Sequence, residues 1–243
     1  MHARSLPSTR DPTRGFCAED RLAEWLGQRS DARARTPLAE LRWGAMAALP
    51  GRVAAVLLAA GSSTRFGSPK MLARVGGEPL VRRVARAFVE AGFPEVVVVV
   101  APGASGVESA LDGLGARTVV NPRPGDGMLS SAQSGLAALA EGLDRVALTP
   151  ADIPGLGAPV LRRLLAALPP PGPSTVDVPT SGGRRGHPIV LPSALVALVL
   201  SWEPSRRLSD LLREPGVAVR EHPGFGPAIL RDVDVPSDLS DTG

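Results

Sequence analysis

Residues 53–70 of the chain, VAAVLLAAGSSTRFGSPK, join an unbroken apolar run to a segment rich in glycine and serine. The apolar run predicts a strand that is buried on both faces, as in a parallel sheet. A glycine-rich turn after such a strand exposes backbone N–H groups to an anion, and glycine lets the backbone come close to it. The spacing fits neither a Walker loop nor a dinucleotide-binding loop. This stretch therefore predicts an α/β fold with a phosphate loop of another kind.

Outward from this stretch, buried-strand patterns alternate with helical patterns. The alternation predicts parallel pairing and a three-layer α/β/α sandwich around a Rossmann-like, mostly parallel sheet. The predicted strands are 53–58, 95–100, 117–120 and 146–149, and the predicted helices are 79–91, 128–141 and 158–168.

The pattern is less regular beyond residue 171. It predicts strands at 175–179 and 189–191, helices at 193–200 and 208–213, and short strands that end at 229–231. Ligands of such sheets bind at the carboxyl ends of strands. Two aspartates lie where predicted strands end, Asp152 and Asp234, and each is followed by a proline two residues on.

Charge divides the chain into two parts. Residues 1–52 carry nine Arg and six Asp or Glu, a net of +3, whereas residues 53–243 carry eighteen basic and eighteen acidic residues, a net of zero. We expect 1–52 to be a disordered Arg-rich extension, with Met46 as an alternative start, and 53–243 to be one domain. A neutral body with 3% aromatic residues lacks the basic face of a nucleic-acid-binding protein.

Cysteine content and hydropathy indicate the compartment. The single cysteine, Cys17, rules out an internal disulfide framework. No apolar run approaches the ~20 residues of a membrane helix, and the N-terminus lacks the apolar run of a signal peptide. We therefore expect a cytoplasmic protein with no membrane partner.

Lys70 is the only lysine in a chain whose Lys and Arg residues total 27. A lone lysine among so many arginines suggests a position that needs a compact, rotatable ammonium rather than a planar guanidinium. Together with Arg65, it supplies the cations that a phosphate loop needs. The alternative is a glycine-rich connection with ordinary surface charges.

At this point the sequence resembles a known family. LAAGSSTRFGSPK (58–70) is similar to the loop of single-domain NTP transferases, and especially of molybdenum cofactor cytidylyltransferases. Four further segments match that family in the same order. They are NPRPGDGMLSSAQSGL at 121–136, ADIPGL at 151–156, RGHPIVL at 185–191 and DVDVPSDL at 232–239.

The resemblance implies a fold of the nucleotide-diphospho-sugar transferase type and assigns roles to individual residues. Arg65, Lys70 and Asp152 would be catalytic, and Asp152 and Asp234 would bind Mg²⁺, with Asp232 as an alternative to Asp234. Arg185 and His187 would face the acceptor, a molybdopterin-type phosphate. The residues expected to bind the nucleotide are Leu58, Ala59, Ala60, Gly61, Ser62, Arg65, Lys70, Asn121, Gly127 and Ser131.

Ala60 bears on the choice of nucleotide. In the family, alanine at this position accompanies cytidylyl transfer and glycine accompanies guanylyl transfer. A methyl group there would narrow the base pocket, so we expect CTP. The implied reaction transfers CMP from CTP to the phosphate of molybdenum-molybdopterin and releases pyrophosphate, and a molybdoenzyme maturation chaperone is a further candidate partner.

Several alternatives remain open. One is a guanylyltransferase that acts on the same cofactor, and another is a cytidylyltransferase that acts on a sugar or alcohol phosphate. A third is a catalytically inactive nucleotide-binding regulator. Some of the assigned residues also have simpler explanations: an aspartate before proline is common in turns, Ser130 or Ser131 could cap a helix, and His187 could be structural.

Overall fold

The computed structural model of the protein describes residues 51–61 and 66–238. The predicted extension at 1–52 therefore lies outside the described residues except for Gly51 and Arg52. Ser62 and Arg65, which the sequence assigns to the phosphate loop, also lie outside them.

Ten strands are described, and eight of them form one sheet. The apolar runs of the sequence become its centre, because a strand between two helical layers is buried on both faces. The strands are β1 (Val53–Leu58), β2 (Arg74–Val75), β3 (Glu78–Pro79), β4 (Val96–Val100), β5 (Arg117–Val120), β6 (Arg145–Pro150), β7 (Thr175–Ser181), β8 (Arg184–Arg185), β9 (Ile189–Pro192) and β10 (Ala218–His222).

The large sheet is mixed but mostly parallel. Its order is β10-β7-β9-β6-β1-β4-β5, with β8 beside β7, while β2 and β3 form a separate hairpin. Strand β1 is parallel to both of its neighbours, β4 and β6. Strand β9 runs antiparallel to β6 and β7. The predicted fold class is confirmed.

Five α-helices are described, and they cover both faces of the sheet. The first ends at Gly92, whose φ of 94° is the left-handed conformation that glycine adopts most easily. The helices are α1 (Leu80–Ala91), α2 (Ser105–Ala110), α3 (Met128–Ala137), α4 (Ala158–Ala167) and α5 (Val196–Ser201).

Strand β1 divides the core into two layers because its side chains alternate in direction. Val53, Ala55 and Leu57 pack with α1, α2 and α4 on one face. Ala54, Val56 and Leu58 pack with α3 and α5 on the other. The alternation continues past the strand, so that Ala59 belongs to the first layer and Ala60 to the second.

One prediction for the C-terminal third is wrong. The helix predicted at 208–213 is present as the 3-10 helix Leu208–Arg213. The strand predicted at 229–231, by contrast, is replaced by the 3-10 turn Pro227–Leu230. This turn has Pro227 at its first position. Proline is tolerated there because the N–H that it lacks would have no partner within the turn. The segment that carries Asp234 therefore follows a 3-10 turn rather than a strand.

Among residues 51–61 and 66–238, no helix is long and apolar enough to cross a membrane. The cytoplasmic location stays a prediction.

Candidate active site

The ends of β1 and β6 bring the two principal sequence features together. The two strands are parallel neighbours, with Leu58 opposite Pro150. The pairing continues into the loops, because the Ala151 N–H donates to the Leu58 carbonyl at 3.0 Å. The segment Leu58–Gly61 and the segment that carries Asp152 therefore leave the sheet side by side, as expected.

Lys70 forms the centre of a charge cluster at this edge. Its Nζ lies 2.7 Å from Asp152 Oδ2 and 3.6 Å from Asp234 Oδ1. The Lys70 and Asp152 side chains are only 12% and 17% exposed, so their ion pair is screened less than a surface pair. The predicted site residues Lys70, Asp152 and Asp234 thus meet in space. Asp234, not Asp232, makes this contact.

Asp152 has spare capacity to bind a cation. Its Oδ2 pairs with Lys70, while its buried Oδ1 has no hydrogen-bond partner among the described residues. A buried carboxylate oxygen is rarely left unmatched, so this atom points to a missing ligand. No group of three His, Cys, Asp or Glu residues that could hold a metal is present at 51–61 and 66–238. Mg²⁺ usually takes one or two carboxylates together with substrate phosphates, so Asp152 and Asp234 fit that ion.

The turn that carries Asp234 is fixed at both ends. The Val233 N–H donates to the Asp152 carbonyl at 2.9 Å. On the other side, Asp238 Oδ2 accepts hydrogen bonds from the Asp234 N–H at 2.7 Å and the Val235 N–H at 2.9 Å. These bonds, first the one from Val235, lower the pKa of Asp238. The sequence analysis did not single out Asp238, although an aspartate soon after a proline is a recurrent turn signal.

Two glycines hold neighbouring segments against the 3-10 turn at 227–230. A Cβ on Gly155 would lie 2.7 Å from the Ala228 carbonyl oxygen, and one on Gly186 would lie 2.7 Å from the Ile229 carbonyl oxygen. Glycine is therefore required at both positions, because any side chain would push the turn away. The loop after Asp152 and the segment before His187 pack on the same turn, which leads directly to Asp234.

The two predicted acceptor residues differ in their surroundings. Arg185 is exposed and its Nε donates to Glu221 Oε1 at 2.8 Å. His187 is largely buried, and its Nδ1 has no hydrogen-bond partner among the described residues. Burial lowers the pKa of His187, and the charges of Asp152 and Asp232 offset part of this effect. The lowered pKa favours the neutral form of the imidazole.

The predicted base-binding segment is a buried polar network. Asn121 is 1% exposed, and its Nδ2 donates to Ser130 Oγ at 2.9 Å and to Ser131 Oγ at 3.0 Å. Its Oδ1 accepts the Arg123 N–H. Gly127, at φ 90°, precedes the first turn of α3. Asn121 thus shapes this loop from inside, and neither serine caps the helix through the side chain.

Ala60 and the network share one side of the sheet. Ala60 is 4% exposed and belongs to the same core layer as Leu129 and Ala132 of α3. Ala60 therefore lies on the same side of the sheet as α3, the helix that carries Ser131.

A cavity of about 660 Å³ lies beside Gly61 and Gly67. Small residues line much of it, and such residues let an anion approach the backbone closely. They include Ala59, Gly61, Gly67, Ala101, Gly103 and Ala104.

Comparison with known proteins finds nucleotidyltransferases among the relatives of this chain. A family model described as the MobA-like NTP transferase domain matches residues 55–221. A probable molybdenum cofactor guanylyltransferase from Deinococcus radiodurans is 31% identical, over 77% of this chain and 92% of its own length. A 2-C-methyl-D-erythritol 4-phosphate cytidylyltransferase from Streptomyces coelicolor is 35% identical, over 77% of this chain and 64% of its own.

A solved structure agrees with the fold. A nucleotidyl transferase from Methanothermobacter thermautotroptrophicus superposes with a TM-score of 0.68 at 25% identity, over 78% of this chain and 95% of the other. The chain does not span every relative: it covers 38% of a bifunctional IspD/IspF enzyme from an Anaeromyxobacter species, to which it is 39% identical.

Proposed function

The chain belongs to the MobA-like NTP transferase family, and we propose that it transfers CMP from CTP to the phosphate of a molybdopterin-type acceptor. The observation that carries this proposal is the meeting of Lys70 with Asp152 and Asp234 beside the LAAG segment. Nucleotidyl transfer needs cations and metal-binding carboxylates at one point, because the reacting phosphates are strongly negative.

The proposed reaction is an in-line displacement. An oxygen of the acceptor phosphate forms a bond to the α-phosphorus of CTP, and the bond from that phosphorus to the β-phosphate oxygen breaks. Pyrophosphate leaves with the electron pair. The acceptor is already an anion at neutral pH, so no strong base is required, in keeping with the lowered pKa of His187, which makes it a weaker base.

The cationic side chains and the carboxylates would have different roles. Lys70 and Arg65 would neutralise the β- and γ-phosphates, although Arg65 lies outside the described residues. Asp152 and Asp234 would hold a divalent cation, for which Mg²⁺ is our choice. When bound, such an ion neutralises the charge that develops on the phosphate oxygens.

The choice of CTP rests on Ala60. Ala60 lies in the same core layer as the helix that carries Ser131, and a methyl group that narrows the base pocket would favour a pyrimidine over a purine. The Asn121 network would position the loop around the base, with Gly127 and Ser131 at its surface.

Two other substrate pairs have specific support. The Deinococcus relative favours guanylyl transfer to the same acceptor. The Streptomyces relative favours cytidylyl transfer to an alcohol phosphate. The non-catalytic alternative, a nucleotide-binding regulator, would need none of the three charged groups that meet at the site.

One assay separates these alternatives. Pyrophosphate release is measured with CTP, GTP and ATP, each with a molybdopterin-type acceptor, with methylerythritol phosphate and without an acceptor. We expect release only with CTP and the molybdopterin-type acceptor. Release with GTP alone would contradict the argument from Ala60, and release with methylerythritol phosphate alone would contradict the acceptor. Binding without release in every combination would support the regulator.

A further inference from the structure

Lys70 lies where the metal of the proposed function would bind. Its Nζ is 2.7 Å from Asp152 Oδ2 and 3.6 Å from Asp234 Oδ1. The sequence assigns Lys70 to the nucleotide phosphates, and in the structure its ammonium contacts the two carboxylates. The ammonium lies between the two carboxylates that would hold the cation.

Lys70 and a divalent cation would compete for the same two carboxylates. The two carboxylates carry a charge of −2, and the Lys70 ammonium contributes +1 against it. A second cation on Asp152 would face a positive charge in a partly buried place, where repulsion is poorly screened. The metal can bind both carboxylates well only if the ammonium moves away.

The ammonium can move without disturbing the fold. The backbone at Lys70 is fixed, since the Leu72 N–H donates to the Pro69 carbonyl at 2.9 Å and the Ala73 N–H donates to the Lys70 carbonyl at 3.0 Å. Met71, the next residue, is buried. By contrast, the lysine side chain has a flexible four-carbon stem. An exchange of partners by Lys70 therefore requires side-chain rotation alone.

We propose that Lys70 is an internal substitute for the metal, so that the site accepts the metal–nucleoside triphosphate complex rather than the free cation. The triphosphate offers the ammonium new anionic partners, and the carboxylates then become available to the cation. This inference rests on the proposed function and specifies its substrate as the chelate. The unmatched Asp152 Oδ1 is the oxygen that the incoming cation would gain.

The test measures binding of Mn²⁺ to the full chain, by the loss of the free-ion signal in electron paramagnetic resonance. Lys70→Met removes the charge and keeps a long side chain. Without nucleotide, we expect at least tenfold tighter binding by Lys70→Met than by the wild type, although the same substitution impairs turnover. Lys70→Arg keeps a cation near the carboxylates and should stay close to the wild type. Equal Mn²⁺ affinity in the wild type and in Lys70→Met would overturn the proposal.

A matched control separates local displacement from general electrostatics. Arg83 also carries a positive charge near the site, since its Nε donates to the Pro154 carbonyl at 3.4 Å. It does not lie between the two carboxylates. Arg83→Met should change Mn²⁺ affinity less than threefold. A gain equal to that of Lys70→Met would contradict displacement by Lys70.

The second experiment adds a non-hydrolysable CTP analogue and subtracts the Mn²⁺ that the analogue binds without protein. The analogue should tighten Mn²⁺ binding by the wild type at least tenfold and should have a smaller effect on Lys70→Met. A different result would show that the proposed function itself is wrong. In that case, adding Asp152→Asn to Lys70→Met would leave Mn²⁺ binding unchanged. If Asp152→Asn abolishes binding but Lys70→Met does not tighten it, the metal site stands and the substitution by Lys70 is wrong.

Discussion

The carboxylate of Asp238 holds the backbone of Asp234 in place: Asp238 Oδ2 accepts the Asp234 N–H at 2.7 Å and the Val235 N–H at 2.9 Å. Asp234 in turn directs its side chain toward Lys70. Asp238, a partly buried residue, thus determines where one side of the charge cluster lies.

Replacing Asp238 should therefore weaken the proposed metal site. We expect Asp238→Ala to lower the affinity for Mn²⁺ in the presence of CTP by roughly 10- to 100-fold, as for other residues that support metal ligands. Asp238→Asn keeps an acceptor oxygen and should restore most of the affinity. Ser237→Ala, one residue away, is the control. Equal losses in the Ala and Asn variants would contradict a positioning role.

Gly155 should be sensitive to a single methyl group. A Cβ there would lie 2.6 Å from Ala228 Cβ and 2.7 Å from its carbonyl oxygen, so the turn at 227–230 must shift. We expect Gly155→Ala to lower the free energy of unfolding by about 1–3 kcal/mol, and to lower turnover because this turn leads to Asp234. Urea unfolding and pyrophosphate release measure the two effects.

Gly157 provides the matched control for this substitution. A Cβ on Gly157 would lie 3.6 Å from Pro159 Cδ, an ordinary contact. Gly157 is the N-cap of α4, where alanine is less favourable than glycine, so Gly157→Ala should cost less stability than Gly155→Ala and should leave turnover close to the wild type. If both alanine variants lost stability and turnover to the same extent, the packing of Gly155 on Ala228 would not be the cause of the loss.

His187 should make stability depend on pH. Burial lowers its pKa in the folded protein, so below about pH 6.5 the unfolded chain takes up a proton that the folded protein does not. Stability from this group is thus complete above pH 6.5 and falls as the pH drops toward the folded pKa. We expect His187→Gln to lose less of its Tm between pH 7 and pH 5 than the wild type loses. Identical Tm profiles would show that the ring is not held neutral.

Ala60 should control the choice of base. Ala60→Gly removes a methyl group from the core layer that contains α3, and a change of one methyl group in a pocket is worth about tenfold or more in selectivity. We expect the ratio of kcat/KM for CTP over GTP to fall by roughly that factor. Ala59→Gly, in the other core layer, is the control. A shift in Ala59→Gly alone would mean that the base lies on the opposite side of the sheet.

The sheet is largely predictable from the sequence because its central strands are buried on both faces. Val53–Leu58 and Arg117–Val120 have the predicted bounds. The short helix Ser105–Ala110 and the hairpin of β2 and β3 were not predicted, since each has too few apolar residues to show a period. The turn at 227–230 was mistaken for a strand because a short apolar run fits both.

The site is predictable in composition but not in geometry. The motifs single out Lys70, Asp152 and Asp234, yet the ion pair of Lys70 with Asp152 joins residues 82 positions apart. Such a contact depends on the neighbouring positions of β1 and β6 in the sheet. The hydrogen bonds that Asp238 accepts from Asp234 and Val235, and those within the Asn121 network, depend on local backbone geometry. Residue types alone therefore could not separate a ligand from the residue that supports it.

The most direct test of a nucleotidyl transfer centre at Lys70, Asp152 and Asp234 follows the α-phosphate itself. CTP labelled at that phosphate is incubated with Mg²⁺ and a molybdopterin-type acceptor, and label on the acceptor is measured against pyrophosphate released. We expect equal amounts of both from the wild type, and a loss on the order of 100-fold or more in Asp152→Asn, with Asp112→Asn unaffected. Transfer by Asp152→Asn at the wild-type rate would contradict the account.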